Sequence, residues 1–291
     1  MAEIIGVDYA SPDGNSPPDF ATAKQAGVRF AIVRAVYGRS LNTTPGPYLD
    51  PTWARDKNAI LAAGLKRGAY LFLCFERTGN TTPTPEAQAN AFADYVGLLP
   101  FQDFVPMIDV EEASDILSPD EMYAWVLRAA QALAQRYGAW PGMYSSNRVW
   151  QENLQGHAAG ELARCPLWIA KPWPWQPGQP AHLDGAPGYS PTTIPQFGDT
   201  TNYWIYQYQG DAKGVPGFSS TTDLNRFQLV RRGARGTIVA WVQQRVKVTA
   251  DGIFGSNTEA AVKTLQEKYG LAADGIVGPD TFAVLAWVAS K

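Results

Sequence analysis

The sequence predicts an α/β chain: an irregular TIM-like β/α barrel whose last strands lack intervening helices, followed by a small C-terminal α-helical domain. Three observations predict it. Strand and helix signals alternate regularly through residue 144. A stretch with seven prolines between Pro172 and Pro195 then leaves no room for an amphipathic helix. Near the C-terminus, ADGIFGSNT at 250–258 returns as ADGIVGPDT at 273–281, a 23-residue repeat. Strands alternating with helices at this spacing require a parallel sheet, and a chain of 291 residues accommodates a closed barrel plus one small module.

The elements follow in order. Ile4 to Asp8 reads as a strand, a helix runs from near Asp19 to Gly27, and Phe30 to Ala35 is the next strand. Asp50 before Pro51 is an N-cap and first-turn pair, and that helix stops at Gly64 ahead of a strand from Ala69 to Phe75. Thr84-Pro85 opens a third helix, which leads to a strand ending in Asp109. Ser118-Pro119-Asp120-Glu121 has the form of a capping box and starts a longer helix that stops at Gly138. A short helix signal (147–154) precedes the strand LWIAK (167–171), and Tyr203 to Tyr208 and Asp223 to Phe227 read as strands joined without helices. In the repeat, Gly252, Gly255, Gly275 and Gly278 permit tight turns, and Thr258 and Thr281 sit where helices begin. The helix from Thr258 to Tyr269 places Ala261, Val262 and Leu265 on one face. The boundaries expected are a barrel at 1–229, a linker at 230–235 and a module at 236–291. The short hinge at Arg231 to Gly236 suggests an independent unit rather than a cap on the barrel.

Composition excludes several functions. Net charge is −3, with residues 230–291 holding 8 Lys and Arg against 5 Asp and Glu, so the body is acidic and the tail mildly basic. An acidic body argues against nucleic acid, whose affinity comes from neutralising phosphates. No apolar stretch approaches the ~20 residues that span a bilayer, so no membrane partner is expected. MAEIIGVDYA lacks a basic segment followed by an apolar core, so no signal peptide is expected. Two cysteines, Cys74 and Cys165, lie in apolar segments and read as buried free thiols. Two histidines, His157 and His182, stand outside any spaced ligand motif, so no metal and no cofactor is expected.

The chemistry gathers around FVPMIDVEE (104–112). Asp109 and Glu111 lie two residues apart at the end of an apolar run, so as strand residues they leave one face with Cα atoms ~7 Å apart. Asp and Glu are poor strand residues. A strand that simply runs into water would also end in charge, so these residues alone leave both readings open. In α/β barrels the active site lies at the C-terminal ends of the strands, and Asp8, Asp109 and Glu111 all fall there.

Residues 4–229 resemble the family 25 glycoside hydrolases, lysozymes often found as phage endolysins. The matching pieces, in the family's order, are GVDYAS (6–11), GVRFAIVRA (27–35), DPTWARDKNAILAAGLKRGAYLF (50–72), FVPMIDVEE (104–112), MYSS (143–146), LWIAK (167–171), WIYQYQG (204–210) and TTDLNRF (221–227). Residues 236–291 resemble the peptidoglycan-binding module with the repeated DGIxGxxT signature. The resemblance implies an acidic site of Asp8, Asp109, Glu111 and Asp223, with Asn225 completing a DxN motif. It also places Tyr70, Tyr144 and Gln207 at motif positions that border the sugar. Phe72 and Trp168 read instead as barrel core, while Trp173 and Trp175 in KPWPWQPGQP (171–180) are assigned to a cleft wall. That loop departs from the family's usual wording, so fine specificity does not transfer.

Glycosidic cleavage needs an acid for the leaving oxygen and a group that stabilises the oxocarbenium-like transition state. Glu111 is assigned as the acid, with its pKa raised by the crowding of Asp109, Asp8 and Asp223. Asp109 shares its face, so it is assigned to assist attack by the substrate's own acetamido group. A nucleophile or base role for Asp8 or Asp223 is the alternative. The expectation is thus a monomeric lysozyme (N-acetylmuramidase) acting on bacterial peptidoglycan, made in the host cytoplasm and working on the cell wall. A chitinase-like glycosidase and an inactive wall-binding protein are the competing readings.

Overall fold

A computed structural model of the chain describes residues 4–10, 16–40, 46–79, 81–100, 103–146, 149–150, 160–170, 179–183 and 203–288. Its strands are β1 (Ile4–Tyr9), β2 (Val28–Tyr37), β3 (Tyr48–Leu49), β4 (Lys66–Phe72), β5 (Met107–Val110), β6 (Gly142–Ser146), β7 (Leu167–Ala170), β8 (Ile205–Ala212) and β9 (Thr222–Phe227). Their order is β1-β9-β8-β7-β6-β5-β4-β2-β3, and β1 also pairs with β2. That last pairing closes eight strands into a barrel and leaves β3 as an extra strand on β2. The TIM-like expectation holds, with one irregularity. β9 runs antiparallel to both of its neighbours, whereas the other seven are parallel. An antiparallel neighbour needs no helical crossover. β8 and β9 are therefore joined directly, with no helix between them.

The helices are α1 (Phe20–Gln25), α2 (Pro51–Ala62), α3 (Pro85–Val96) and α4 (Pro119–Tyr137), each started by the residue the sequence marks. Asp19, Asp50 and Thr84 accept from backbone N–H groups of the first turn, and Ser118 and Glu121 form a reciprocal capping box. These caps satisfy donors that have no partner inside the helix. The helix signal at 147–154 falls mostly on residues outside those described.

Alternation along the strands divides the buried side chains into two sets. Val7, Val33, Leu71 and Ile108 face outward and pack under Trp53, Phe92, Val126 and Leu133 of the helices. Phe30, Ile32, Tyr70, Met107, Trp168 and Phe227 face inward and fill the barrel. Gly6 makes room for this filling, since a Cβ there would lie 2.1 Å from the Phe30 ring.

The C-terminal module comprises α5 (Thr237–Arg245), α6 (Ser256–Lys268) and α7 (Pro279–Val288). It does not stand apart from the barrel as the hinge suggested. Ile238, Val242 and Phe282 belong to the same buried cluster as the barrel interior. Phe282 lies 4.7 Å from Trp204 and 5.6 Å from Phe227, ring centre to ring centre, and Trp241 lies 5.1 Å from Trp204. The hinge is itself laced down: Val230 and Val277 exchange backbone hydrogen bonds, and Gly233, Ala234 and Gly236 bond to Phe254 and Gly252. Apolar rings at the barrel base outweigh the flexibility that Gly233 and Gly236 confer.

The repeat is held by a pair of glutamines. Gln243 Nε2 shares its two hydrogens among Asp251, the Ile253 carbonyl and Thr258 Oγ1, while its Oε1 accepts from Gly252 N–H. Gln266 does the same with Asp274, Ile276, Thr281 and Gly275. Gly252 and Gly275 adopt φ of 71° and 75°, which a side chain disfavours; Gly255 and Gly278 do not. Thr258 and Thr281 are buried hydroxyls inside α6 and α7 rather than helix starters, because α6 begins at Ser256 and α7 at Pro279.

Candidate active site

Four carboxylates meet at the C-terminal rim. Asp8 is the last residue but one of β1 and is 5% exposed, and Asp109 is the last but one of β5 and is 6% exposed. Glu111 stands just past β5, open to solvent at the mouth. Asp223 lies at the start of β9, and only the antiparallel direction of that strand brings its start to the rim where the others end. It pairs in register with Asp8. Asp109 is flanked in register by Phe72 on β4 and Tyr144 on β6.

Neutral side chains fix these acids. Gln207 Nε2 donates to Asp8 Oδ1 and Asp223 Oδ2, both at 3.0 Å, and its Oε1 accepts from Tyr144 Oη at 2.8 Å. Asn225 Nδ2 donates to Asp8 Oδ1 at 2.7 Å, and Asn225 Oδ1 accepts from Trp168 Nε1 at 2.8 Å. The backbone N–H of Asp211 donates to Asp223 Oδ1. Asp109 Oδ1 is different, being buried without a partner among the described residues. An unpaired buried acceptor is costly, so this one marks where a donor is missing.

All four carboxylates have raised pKa values. Burial is the main cause for Asp8, which rises to about 7 against the donors Asn225 and Gln207. Burial, then the charges of Glu111 and Asp8, lifts Asp109 well above the carboxylate range, and burial and Asp8 do the same for Asp223. Glu111 is raised chiefly by desolvation within the cleft walls, opposed by Tyr144, with Glu112 as the repelling charge. The expected cause was repulsion from Asp109, Asp8 and Asp223. The repulsion instead falls on those three, which are more deeply buried. Groups this close titrate as a set.

Tyr70, Tyr144, Gln207 and Asn225 lie in the barrel mouth, with both tyrosines buried. Trp173 and Trp175 lie outside the described residues. Trp168 is interior as expected, but its indole holds Asn225. Phe72 is only half-buried, stacked on Tyr37 at 4.9 Å.

Sequence reasoning missed Arg34, whose Nε donates to Asp50 at 2.8 Å and whose charge opposes the rise of the Asp109 pKa. The signal was available, since Arg34 keeps step with inward-facing Phe30 and Ile32 and is thus a cation on the barrel's inner face. It also missed Glu112, which pairs with Arg39 and accepts from Tyr37 at 3.2 Å beside the site.

Comparison with known proteins places the chain in a family. The profile described as "Glycosyl hydrolases family 25" matches residues 7–218, and that described as "Putative peptidoglycan binding domain" matches 236–285. Counting factor 50 of Dictyostelium discoideum is 28% identical over 142 residues, 49% of this chain and 42% of that protein, so the chain spans under half of that relative. The autolytic lysozyme of Clostridium acetobutylicum is 26% identical over 277 residues, 90% of this chain and 72% of that protein. In fold, the chain is similar to the bacterial lysozyme from Streptomyces coelicolor, with a TM-score of 0.59, 22% identity, and coverage of 78% of this chain and 93% of that one. With most of its length matched and an acidic pocket at the rim of a closed barrel, the chain is a glycoside hydrolase that belongs to family 25 and carries a C-terminal peptidoglycan-binding segment.

Proposed function

We propose that the protein is a lysozyme, an N-acetylmuramidase that hydrolyses the bond between N-acetylmuramic acid and N-acetylglucosamine in peptidoglycan. The observation that carries the reading is the contrast between two carboxylates on one strand end. Glu111 is open to the mouth with a raised pKa, and Asp109 is buried with an acceptor oxygen that has no partner among the described residues. The acetamido N–H of a bound sugar supplies the donor that Asp109 lacks.

In the proposed reaction, Glu111 gives its proton to the leaving glycosidic oxygen as that oxygen's bond to the anomeric carbon breaks. The acetamido carbonyl oxygen forms the new bond to that carbon from the opposite face. Asp109 accepts the N–H and stabilises the positive charge that develops on the acetamido group. The Glu111 carboxylate then takes a proton from water, which opens the ring intermediate with net retention. Asp8 and Asp223 hold Gln207, which holds Tyr144, so they position the mouth rather than attack.

The barrel and the segment at 236–291 are proposed to act together, as a monomer, on the bacterial cell wall. Pairing a hydrolase with a wall-binding segment supports an endolysin-type enzyme made in a host cytoplasm, because tethering raises local substrate concentration. Mass spectrometry of the reducing ends released from purified sacculi tests the activity. Muramic acid ends are expected; glucosamine ends would reject the muramidase reading, and an inverted anomeric product would reject acetamido participation.

A further inference from the structure

At the opposite end of the barrel, the module and the barrel base enclose a cavity of about 730 Å³. The barrel contributes Trp140 and Arg164, and the module contributes Trp241, Arg245, Lys247, Lys268 and Tyr269. Four cations thus line one cavity, and among the described residues no carboxylate lines it. Three of them sit over aromatic faces: Arg164 is 4.5 Å from the Trp140 ring centre, Arg245 is 3.4 Å from Trp241, and Lys268 is 5.4 Å from Tyr269. Arg245 Nε and Trp241 Nε1 are buried donors without acceptors among the described residues. Burial and the charge of Arg164 depress the Arg245 pKa to about 9. Glu161 approaches Arg164 at 3.9 Å, but both are exposed, and such a pair neutralises little.

We infer that this cavity is a second peptidoglycan site, built jointly by barrel and module, which takes the carboxylate-bearing stem peptide of a glycan strand other than the one being cut. The inference rests on the lysozyme reading and extends it to a place on the molecule. Four cations gathered around one cavity favour an anion there, most strongly at half-buried Arg245, and guanidinium forks match carboxylates in shape. Aromatic faces suit the adjoining sugar. The volume is that of a pocket for one small unit, such as a disaccharide with its short peptide, rather than a groove that tracks a long phosphodiester polymer. Because the cavity lies at the base and the acids lie at the rim, a strand held here does not occupy the catalytic mouth.

The test is co-sedimentation of the full chain with sacculi stripped of phosphodiester polymers, using a Glu111→Gln background so that the wall is not digested. Arg164→Gln with Arg245→Gln, and separately the exposed pair Lys247→Gln with Lys268→Gln, are each expected to weaken binding about tenfold. Amidating the wall's carboxylates is expected to weaken the parent protein equally and to erase the difference between variants. Without the Glu111 change, both pairs should retain parental turnover on peptide-free glycan strands. Unchanged binding by the folded variants, equal binding to amidated wall, or loss of binding on removal of the phosphodiester polymers would each overturn the proposal. Failure of the unmodified protein to release muramic acid ends would instead overturn the lysozyme reading and leave the binding result to stand by itself.

Discussion

Asp8 and Asp223 face each other across β1 and β9, and one amide nitrogen, Gln207 Nε2, donates to both at 3.0 Å. The two hydrogens of that nitrogen are therefore committed to carboxylates, which leaves Gln207 Oε1 to accept from Tyr144. The amide orders the mouth by having a donor end and an acceptor end.

Gln207→Glu is nearly isosteric but replaces the shared donor with a further acceptor. Asp8 and Asp223 lose a hydrogen bond that favours their charged forms, and the Tyr144 hydroxyl gains a competing charged neighbour. Wall hydrolysis is expected to fall by about 100-fold, as is usual when a group that positions catalytic residues is lost. Turbidity clearing at matched protein concentration measures it. Activity within twofold of the parent would show that the bridge does not order the site.

Glu111→Gln keeps shape and removes the transferable proton. Rates are expected to drop by about 10²–10⁴-fold, the range for loss of a general acid, while the melting temperature stays within a few degrees. The pH profile supplies a second check. Tyr144 opposes the rise of the Glu111 pKa, so Tyr144→Phe should raise it further and move the alkaline limb of activity to higher pH. A limb that moves to lower pH would contradict the assignment.

Asp8 links the site to stability. Its pKa is raised from 3.8 to about 7 by burial. The folded state therefore holds this proton more tightly than the unfolded chain does. The resulting stabilisation is complete below about pH 4 and is lost as pH climbs through about 7. Asp8→Asn removes the ionisation, and its Oδ1 can still accept from Asn225 and Gln207. The variant should melt above the parent at pH 8, by an amount on the order of 1–3 kcal/mol, and show little advantage at pH 4. Thermal denaturation at the two pH values decides this, and an equal shift at both would remove the linkage.

Much of the barrel was legible because its signals are local. Asp19, Asp50, Thr84 and Ser118 announce helices through bonds within one turn, and all four caps form. Asp8 and Asp109 were found because a carboxylate at the end of an apolar strand conflicts with its surroundings. The direction of β9 was not legible: strand periodicity is the same read either way, and only the pairing of Asp8 with Asp223 reveals it. Gln243 and Gln266 escaped notice because each acts through a loop eight to ten residues away, beyond the repeated Asp-Gly-Ile motif. The packing of the module was invisible for a related reason. Phe282 and Trp241 look like core residues of a small helical unit, and nothing in their spacing says that half of that core belongs to the barrel.

Phe282 gives that packing a measurable consequence. It is 1% exposed, and its ring lies 6.0 Å from Phe104, 4.7 Å from Trp204, 5.6 Å from Phe227 and 5.8 Å from Trp241. Three of these four belong to the barrel, so truncation opens a cavity shared by both parts. Phe282→Ala is expected to cost about 3–5 kcal/mol, the range for a buried phenylalanine. Because the module's core continues into the barrel interior, the loss should appear as one cooperative transition at lower temperature, followed by tryptophan fluorescence and by activity together. Two separated transitions, with activity surviving the first, would show that the module unfolds alone and that the barrel base does not depend on it.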